Sequence, residues 1–327
     1  MRAIRLHAFG PAENLRYETV DDPVPGPGQV RIAVTAAGVH VIDTVIRSGR
    51  RQGLLPLPAL PAIPGREVAG VVDALGPGVD DGLLGRRVVA HLGAASGGYA
   101  ELAVPDAEAL HLIPDDLADD AAVAMIGTGR TAIGILETAR LAADDVVLVT
   151  AAAGGLGSLL VQAARAAGAT VVAAAGGEAK AARARELGAT IAVDYSADDW
   201  GATVREALDG RDVTVALDGV GGALGRGALE LLGPGGRLIL FGFASGAPTQ
   251  LSAGDLFARG LTASAAVGPR VLQRPGGLRD LEERALAAAA SGRLTPVVGQ
   301  RFPLAEAAAA HAAIEARATV GKTVLVP

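Results

Sequence analysis

The most constraining stretch of this chain runs from Val146 to Gly157, VVLVTAAAGGLG, where five strand-forming residues give way to small residues, then glycines, then a helical pattern. Each part has a physical use. Gly154 lets the main chain approach a pyrophosphate, Gly157 lets the helix pack against the strand, and the free N–H groups of the first helical turn attract anionic oxygens. The spacing is that of GxGxxG with Ala152 in place of the first glycine. With a strand before it, a helix after it and a second apolar strand at 170–174, the segment Ala153, Gly154, Gly155, Leu156, Gly157 reads as a dinucleotide-binding turn.

The surroundings support this reading. Beyond 146–150 the pattern predicts a helix over 158–167, a strand at 170–174, a helix over 178–187 and strands at 190–193, 213–217 and 238–241. Apolar strands separated by single helices imply a parallel, doubly wound sheet covered on both faces, placed at 121–264. Residues 1–120 differ, with short apolar runs such as 30–36 and 68–74 between Pro- and Gly-rich turns, which predicts antiparallel, barrel-like strands. The tail 265–327, with helices over 281–290 and 304–316, a short strand near Val297 and a strand at 323–326, is expected to complete that first domain. The 327 residues, 50% apolar, suffice for two cores.

Composition excludes several functions. The net charge of −6 offers no basic stripe for nucleic acid, and the absence of cysteine removes disulfides, thiolate nucleophiles and cysteine-rich zinc sites. Apolar runs are interrupted before membrane-spanning length, so a cytoplasmic protein without membrane partners is expected. His7, His91, His111 and His311 show no metal-ligand spacing and are read as structural, with no metal expected. Ser96, Ser158 and Ser245 lack the signature of a base-activated nucleophile.

The second strand ends in Ala173-Ala174-Ala175-Gly176-Gly177, without the acid that would hold a ribose 2′-hydroxyl. Space for a 2′-phosphate is left, and Lys180 on the next helix can supply positive charge. NADPH is therefore expected, although Glu178 brings the opposite sign nearby.

Together with the segments 36–49 (AAGVHVIDTVIRSG), 64–70 (PGREVAG), 152–157 (AAGGLG) and 321–327 (GKTVLVP), these features make the chain resemble the zinc-independent, zeta-crystallin-like quinone oxidoreductases of the medium-chain dehydrogenase/reductase superfamily. The resemblance implies a Rossmann domain inserted into a GroES-like, β-rich substrate domain, in a homodimer. It implies that Gly176, Lys180 and Tyr195 surround the 2′-phosphate, that Val41, Ile42, Asp43, Thr44 and Thr131 lie near the nicotinamide, and that Phe241, Gly242 and Phe243 follow its ribose. Zinc-dependent relatives carry ligands where this chain has Ala37-Gly38 and Arg66.

Hydride transfer to a quinone or an α,β-unsaturated carbonyl is the expected chemistry, with the developing oxyanion met by hydrogen-bond donors rather than a Lewis acid. His40, at a position where many family members have Asn, is a candidate donor or acid, and a structural role fits it equally. Arg47 is a candidate for attracting a polar acceptor. Val45 and Arg51 replace tyrosines of the better-known quinone reductases. Two alternatives are an enoyl reductase of polyketide or fatty acyl type and an NADPH-binding protein without turnover.

Overall fold

The computed structural model describes residues 1–51, 56–93 and 96–327, and these form two compact units. The first comprises 1–128, 285–292 and 296–327, and the second 129–284 and 293–295. The chain opens with β1 (Arg2–Leu6), β2 (Leu15–Thr19), β3 (Val30–Val39), α1 (Val41–Arg47), β4 (Glu67–Leu75), β5 (Arg87–His91), β6 (Leu102–Ala103), β7 (Leu110–Leu112) and α2 (Asp119–Ala124). A π-helical turn, Met125–Gly129, leads into α3 (Arg130–Ala139). There follow β8 (Val146–Thr150), α4 (Gly155–Ala166), β9 (Thr170–Ala175), α5 (Glu178–Glu186), β10 (Ile191–Asp194), α6 (Trp200–Leu208), β11 (Val213–Asp218), α7 (Gly222–Glu230), β12 (Leu232–Leu240), α8 (Ala253–Arg259) and β13 (Thr262–Ala265). Then come α9 (Pro269–Leu272), α10 (Gly277–Ala290), β14 (Val298–Pro303), α11 (Ala307–Glu315) and β15 (Lys322–Val326).

In the first unit the sheet order is β14-β15-β3-β4-β5-β7, with β6 also paired to β3. All these pairings are antiparallel except β14 with β15. The strand β3 alternates buried and part-exposed positions over Val30–Val34, as a half-covered antiparallel strand should. Its far end, Ala36–Val39, is buried throughout, flanked by β15 on one side and β4 on the other. The apolar core here gathers Ile4, Ile32, Val68, Tyr99 and Leu325, and the alanine-rich α11 packs Ala307 and Ala310 into it.

The second unit is a parallel sheet in the order β10-β9-β8-β11-β12-β13. Every residue of the central β8 is buried, because helices cover both faces. Leu148, Val172, Trp200, Leu229 and Leu238 anchor its core.

The unit boundaries at 128 and 284 lie beyond the expected 120 and 265. On the first side α2, the π-turn and α3 form one helical stretch, so composition does not change where the units part. On the second side, Arg274 and Arg284 both pair with Glu137 of α3, and Arg130 pairs with Glu282, tying 274–284 to the second unit.

Candidate functional site

In the second unit, four turns leave the carboxyl ends of adjacent parallel strands, the edge at which doubly wound sheets bind ligands. Ala151 sits in the left-handed region at φ 48°, and Gly154 is the N-cap of α4 without any side-chain cap. Helix geometry leaves the N–H groups of Gly155, Leu156 and Gly157 without intrahelical acceptors. Gly157 is required by packing, since a Cβ there would lie 2.2 Å from the Ala151 carbonyl oxygen and 2.7 Å from Ala152 Cα. A Cβ at Gly154 would meet only the Ala151 oxygen, at 3.3 Å, so that main chain is open to a ligand. The helix begins three residues earlier than expected from propensity, because contact with the strand outweighs the weak helix preference of glycine.

The neighbouring turn follows β9. Tyr195 packs on Gly176, with ring carbon Cε2 3.2 Å from where a Cβ would stand. Gly177 has φ 93°, open to glycine but strained for other residues. Lys180 stands in the first turn of α5, half-buried, and Glu178 pairs with Arg185. An acid missed from the sequence shapes this turn: Asp194 Oδ1 accepts from the N–H of Gly177 at 2.7 Å and of Ser196 at 2.8 Å. Those main-chain hydrogen bonds hold its carboxyl below the usual range.

Asp218, at the end of β11, is a second residue that sequence reasoning passed over. It is fully buried, and Oδ1 accepts from Thr150 Oγ1 (2.9 Å) and Val220 N–H (2.9 Å) while Oδ2 accepts from Thr249 Oγ1 (2.5 Å). Its main-chain oxygen accepts from Phe241 N–H at 2.9 Å, which sets the start of Phe241-Gly242-Phe243. Phe241 covers Gly219, while Phe243 is exposed. Thr131 is half-buried on α3.

The first unit holds the remaining candidates on and before α1. Val41 is half exposed, Ile42 half-buried, and Asp43 and Thr44 buried. Asp43 Oδ2 accepts from the His40 main-chain N–H at 2.8 Å and from the Tyr99 hydroxyl at 3.1 Å, and that hydroxyl lies 3.2 Å from His311 Nε2. Burial, reinforced by the Asp43 carboxylate, pushes the Tyr99 phenol well above its ordinary value. Arg47 is buried, with one Nη donating to the Gly10 carbonyl at 2.7 Å, the other paired with Glu315, and Nε unpartnered. It lines a pocket with Ile46, Leu57, Pro64, Arg66 and Ser96.

Beside this pocket's helix lies a charged cluster. His40 Nε2 is 2.7 Å from Glu67 Oε1 and 2.8 Å from Lys322 Nζ, and Nζ donates to Glu67 Oε2 at 2.8 Å and to Thr128 Oγ1 at 3.4 Å. Glu67 is wholly buried and Lys322 is 5% exposed. Burial alone would raise the Glu67 carboxyl, but the charges of His40 and Lys322 outweigh it and hold it well below the carboxylate range. Two glycines leave room for the cluster: a Cβ at Gly38 would fall 2.3 Å from Oε2 and 3.1 Å from Nζ, and one at Gly127 would fall 1.7 Å from Oε1.

The cluster bears on zinc. A metal-ligating side chain at position 38 would overlap Glu67, and an ammonium group already fills that space, so the donor set does not fit the ion. Among the described residues no group of three or more His, Asp or Glu could hold a metal, and no helix is long and apolar enough to cross a membrane.

Comparison with known proteins gives a consistent result. Residues 26–115 match the alcohol dehydrogenase GroES-like domain and residues 155–283 the zinc-binding dehydrogenase family. The chain is 35% identical to a quinone oxidoreductase of Pseudomonas aeruginosa, over 100% of this chain and 99% of the relative. It is 36% identical to a 2-haloacrylate reductase of a Burkholderia species, over 98% of each. The structure of Escherichia coli quinone oxidoreductase complexed with NADPH superimposes with a TM-score of 0.88 at 30% identity, covering 100% of both chains.

Proposed function

Because the chain belongs to the zeta-crystallin-like quinone oxidoreductase branch of the medium-chain dehydrogenase/reductase superfamily, we propose that it is an NADPH-dependent reductase of quinones or α,β-unsaturated carbonyl compounds, working without zinc. The observation that carries this reading is the uncapped start of α4 behind Gly154, next to a β9 that ends without an acid. The N–H groups of Gly155, Leu156 and Gly157 suit a pyrophosphate, and Gly176, Tyr195 and Lys180 suit a 2′-phosphate. Bound there, NADPH supplies a hydride to an electron-poor carbon of the acceptor.

The protein's own share is to orient and to stabilise charge. Asp218 fixes the 219–222 and 241–249 turns by accepting from Thr150, Val220 and Thr249, which keeps the rim of the nucleotide site rigid. His40 donates a hydrogen bond to the acceptor oxygen as negative charge builds there, in the role an oxyanion donor plays. Arg47, already tied to Gly10 and Glu315, acts through the shape of the pocket that it lines. One hydride and one proton from solvent complete the reduction. By family likeness the enzyme works as a cytoplasmic homodimer.

NADPH oxidation should be followed with 1,2- and 1,4-quinones, a 2-haloacrylate, simple enones and enoyl thioesters. Turnover of quinones or enones supports the proposal, and preference for enoyl thioesters favours the acyl alternative. Tight NADPH binding with no acceptor reduced overturns the enzymatic reading.

A further inference from the structure

The pocket walled on one side by α1 is built entirely from the first unit, and at about 670 Å³, open mouth included, it has the size of a small-molecule site. Its walls are mostly apolar, with Leu6, Ile46, Leu57 and Pro64 among them, and four polar side chains reach it: Asp43, Arg47, Arg66 and Ser96. Three of the four are already committed. Asp43 is 4% exposed, with Oδ2 accepting from the His40 N–H and the Tyr99 hydroxyl. Arg47 is 2% exposed, and Glu315 meets its charge. Ser96 has one hydroxyl hydrogen, shared between the carbonyls of Ile63 at 3.0 Å and Gly65 at 3.1 Å.

Arg66 differs. It is half-buried, and a guanidinium carries five N–H bonds. Nε donates to the Gly93 carbonyl at 3.1 Å, while the four N–H bonds of the two Nη atoms meet no acceptor and no carboxylate among the described residues. Glu67, next in the chain, gives no counter-charge, because its carboxylate is engaged by Lys322 at 2.8 Å and His40 at 2.7 Å. The main chain beneath the arginine is fixed. Gly65, at φ 93°, packs on Tyr99 so closely that a Cβ would stand 2.3 Å from ring carbon Cδ1, and the Arg66 carbonyl accepts from Leu92 N–H at 2.8 Å. One positioned, permanently charged fork therefore stands in an apolar pocket, an arrangement suited to a planar anion held by two parallel hydrogen bonds.

We propose that Arg66 is a specificity-determining residue that binds a carboxylate on the acceptor, so that the pocket selects α,β-unsaturated ketones bearing a carboxylate over their neutral counterparts. The inference rests on the reading of this pocket as the acceptor's. Asp43 supports that reading, being both a lining residue and one of those that family likeness sets near the nicotinamide. The fork holds the carboxylate and the apolar walls take the carbon skeleton. The reduction is otherwise unchanged: a hydride from NADPH forms the C–H bond at the carbon β to the ketone, the displaced electron pair rests on the ketone oxygen, and a solvent proton then adds at the α-carbon.

The test compares 4-oxopent-2-enoate, an unsaturated ketone ionised at neutral pH, with its uncharged methyl ester, by NADPH oxidation in the wild type and in Arg66→Gln. The wild type should favour the acid in kcat/KM, chiefly through KM. Arg66→Gln should lower that acid-to-ester preference about 10- to 100-fold, the range of charge-assisted hydrogen bonds, and Arg66→Lys, with the charge but not the fork, should keep part of it. A second arm needs no turnover: saturation-transfer NMR of the full chain with the saturated 4-oxopentanoate and its methyl ester. The acid should bind more tightly than the ester, and Arg66→Gln should abolish the difference. Equal handling of acid and ester by the wild type, or a preference unmoved in Arg66→Gln, overturns the proposal. Acid binding that depends on Arg66 without reduction of any acceptor supports the carboxylate site while refuting the reductase reading, so the two failures are told apart.

Discussion

His311 is expected to make the first unit sensitive to mild acid. It is fully buried on α11, its ring edge-on to Tyr99 with centroids 5.7 Å apart, and its Nδ1 has no hydrogen-bond partner. Burial lowers its pKa from 6.5 to about 4, the Asp43 carboxylate opposes that, and the Arg47 guanidinium adds to it. In the unfolded chain the imidazole returns to its ordinary value, so as pH falls the unfolded state takes up the proton first. The contribution is therefore intact above about pH 6.5 and is lost as pH falls from there toward 4. At about 1.4 kcal/mol per pKa unit the full loss is about 3 kcal/mol, with about 2 kcal/mol gone by pH 5. Urea unfolding, followed by circular dichroism at pH 7, 6 and 5, measures this directly. His311→Phe has its own packing cost at pH 7, but its stability should fall less steeply than the wild type's, by about 2 kcal/mol over that range. Glu67 does not confuse the window, since a depressed carboxyl gives up its stabilisation only below its unfolded value near 4.5. Parallel pH curves for the two proteins would refute the reasoning.

Three further outcomes are expected. Gly157→Ala drives a Cβ into main-chain atoms of Ala151 and Ala152, and should cost about 1–3 kcal/mol and weaken NADPH, read by thermal unfolding and fluorescence titration, whereas Gly177→Ala, with nothing within 4 Å and only φ strain, should leave more stability. Lys180→Ala should weaken NADPH roughly 10- to 100-fold, the worth of a charge-assisted hydrogen bond, with little change for NADH; equal losses in calorimetry would remove the 2′-phosphate assignment. Thr249→Val keeps the side-chain shape but takes the 2.5 Å donor from buried Asp218, and should cost about 1–3 kcal/mol in thermal unfolding, while an unchanged melting temperature would show that Asp218 does not depend on it.

The nucleotide half of the molecule was legible because its chemistry is local. A strand, a glycine turn and a helix lie within 146–166, and periodicity with glycine placement reveals them in order. Asp194 and Asp218 were not legible as turn organisers. Each serves main-chain N–H groups of a turn whose shape is set by the fold, Asp194 for Gly177 and Asp218 for Val220, and a single acid after an apolar strand gives no sign of that. The Tyr99–Asp43–His311 chain meets only in three dimensions, with Tyr99 and Asp43 separated by 56 positions and Tyr99 and His311 by 212. Reading His311 as structural needed only its isolation; reading what its burial does to its proton needed the structure.

The charged cluster shows a different limit. Glu67 and Lys322 stand at the first positions of their strands, Glu67–Leu75 and Lys322–Val326. Their meeting was not legible, because 255 residues separate them and only the place of β3 between β4 and β15 joins them. Once joined, they also explain why two glycines flank the site. A side chain at position 38 or 127 would displace the Glu67 carboxylate, and displacing it would strand the Lys322 ammonium without its counter-charge. Glycine, carboxylate and ammonium therefore hold one another in place. Installing a metal ligand at Gly38 alone would break the pair before it made a site, so a metal-assisted version of this unit needs position 38 and Lys322 to change together.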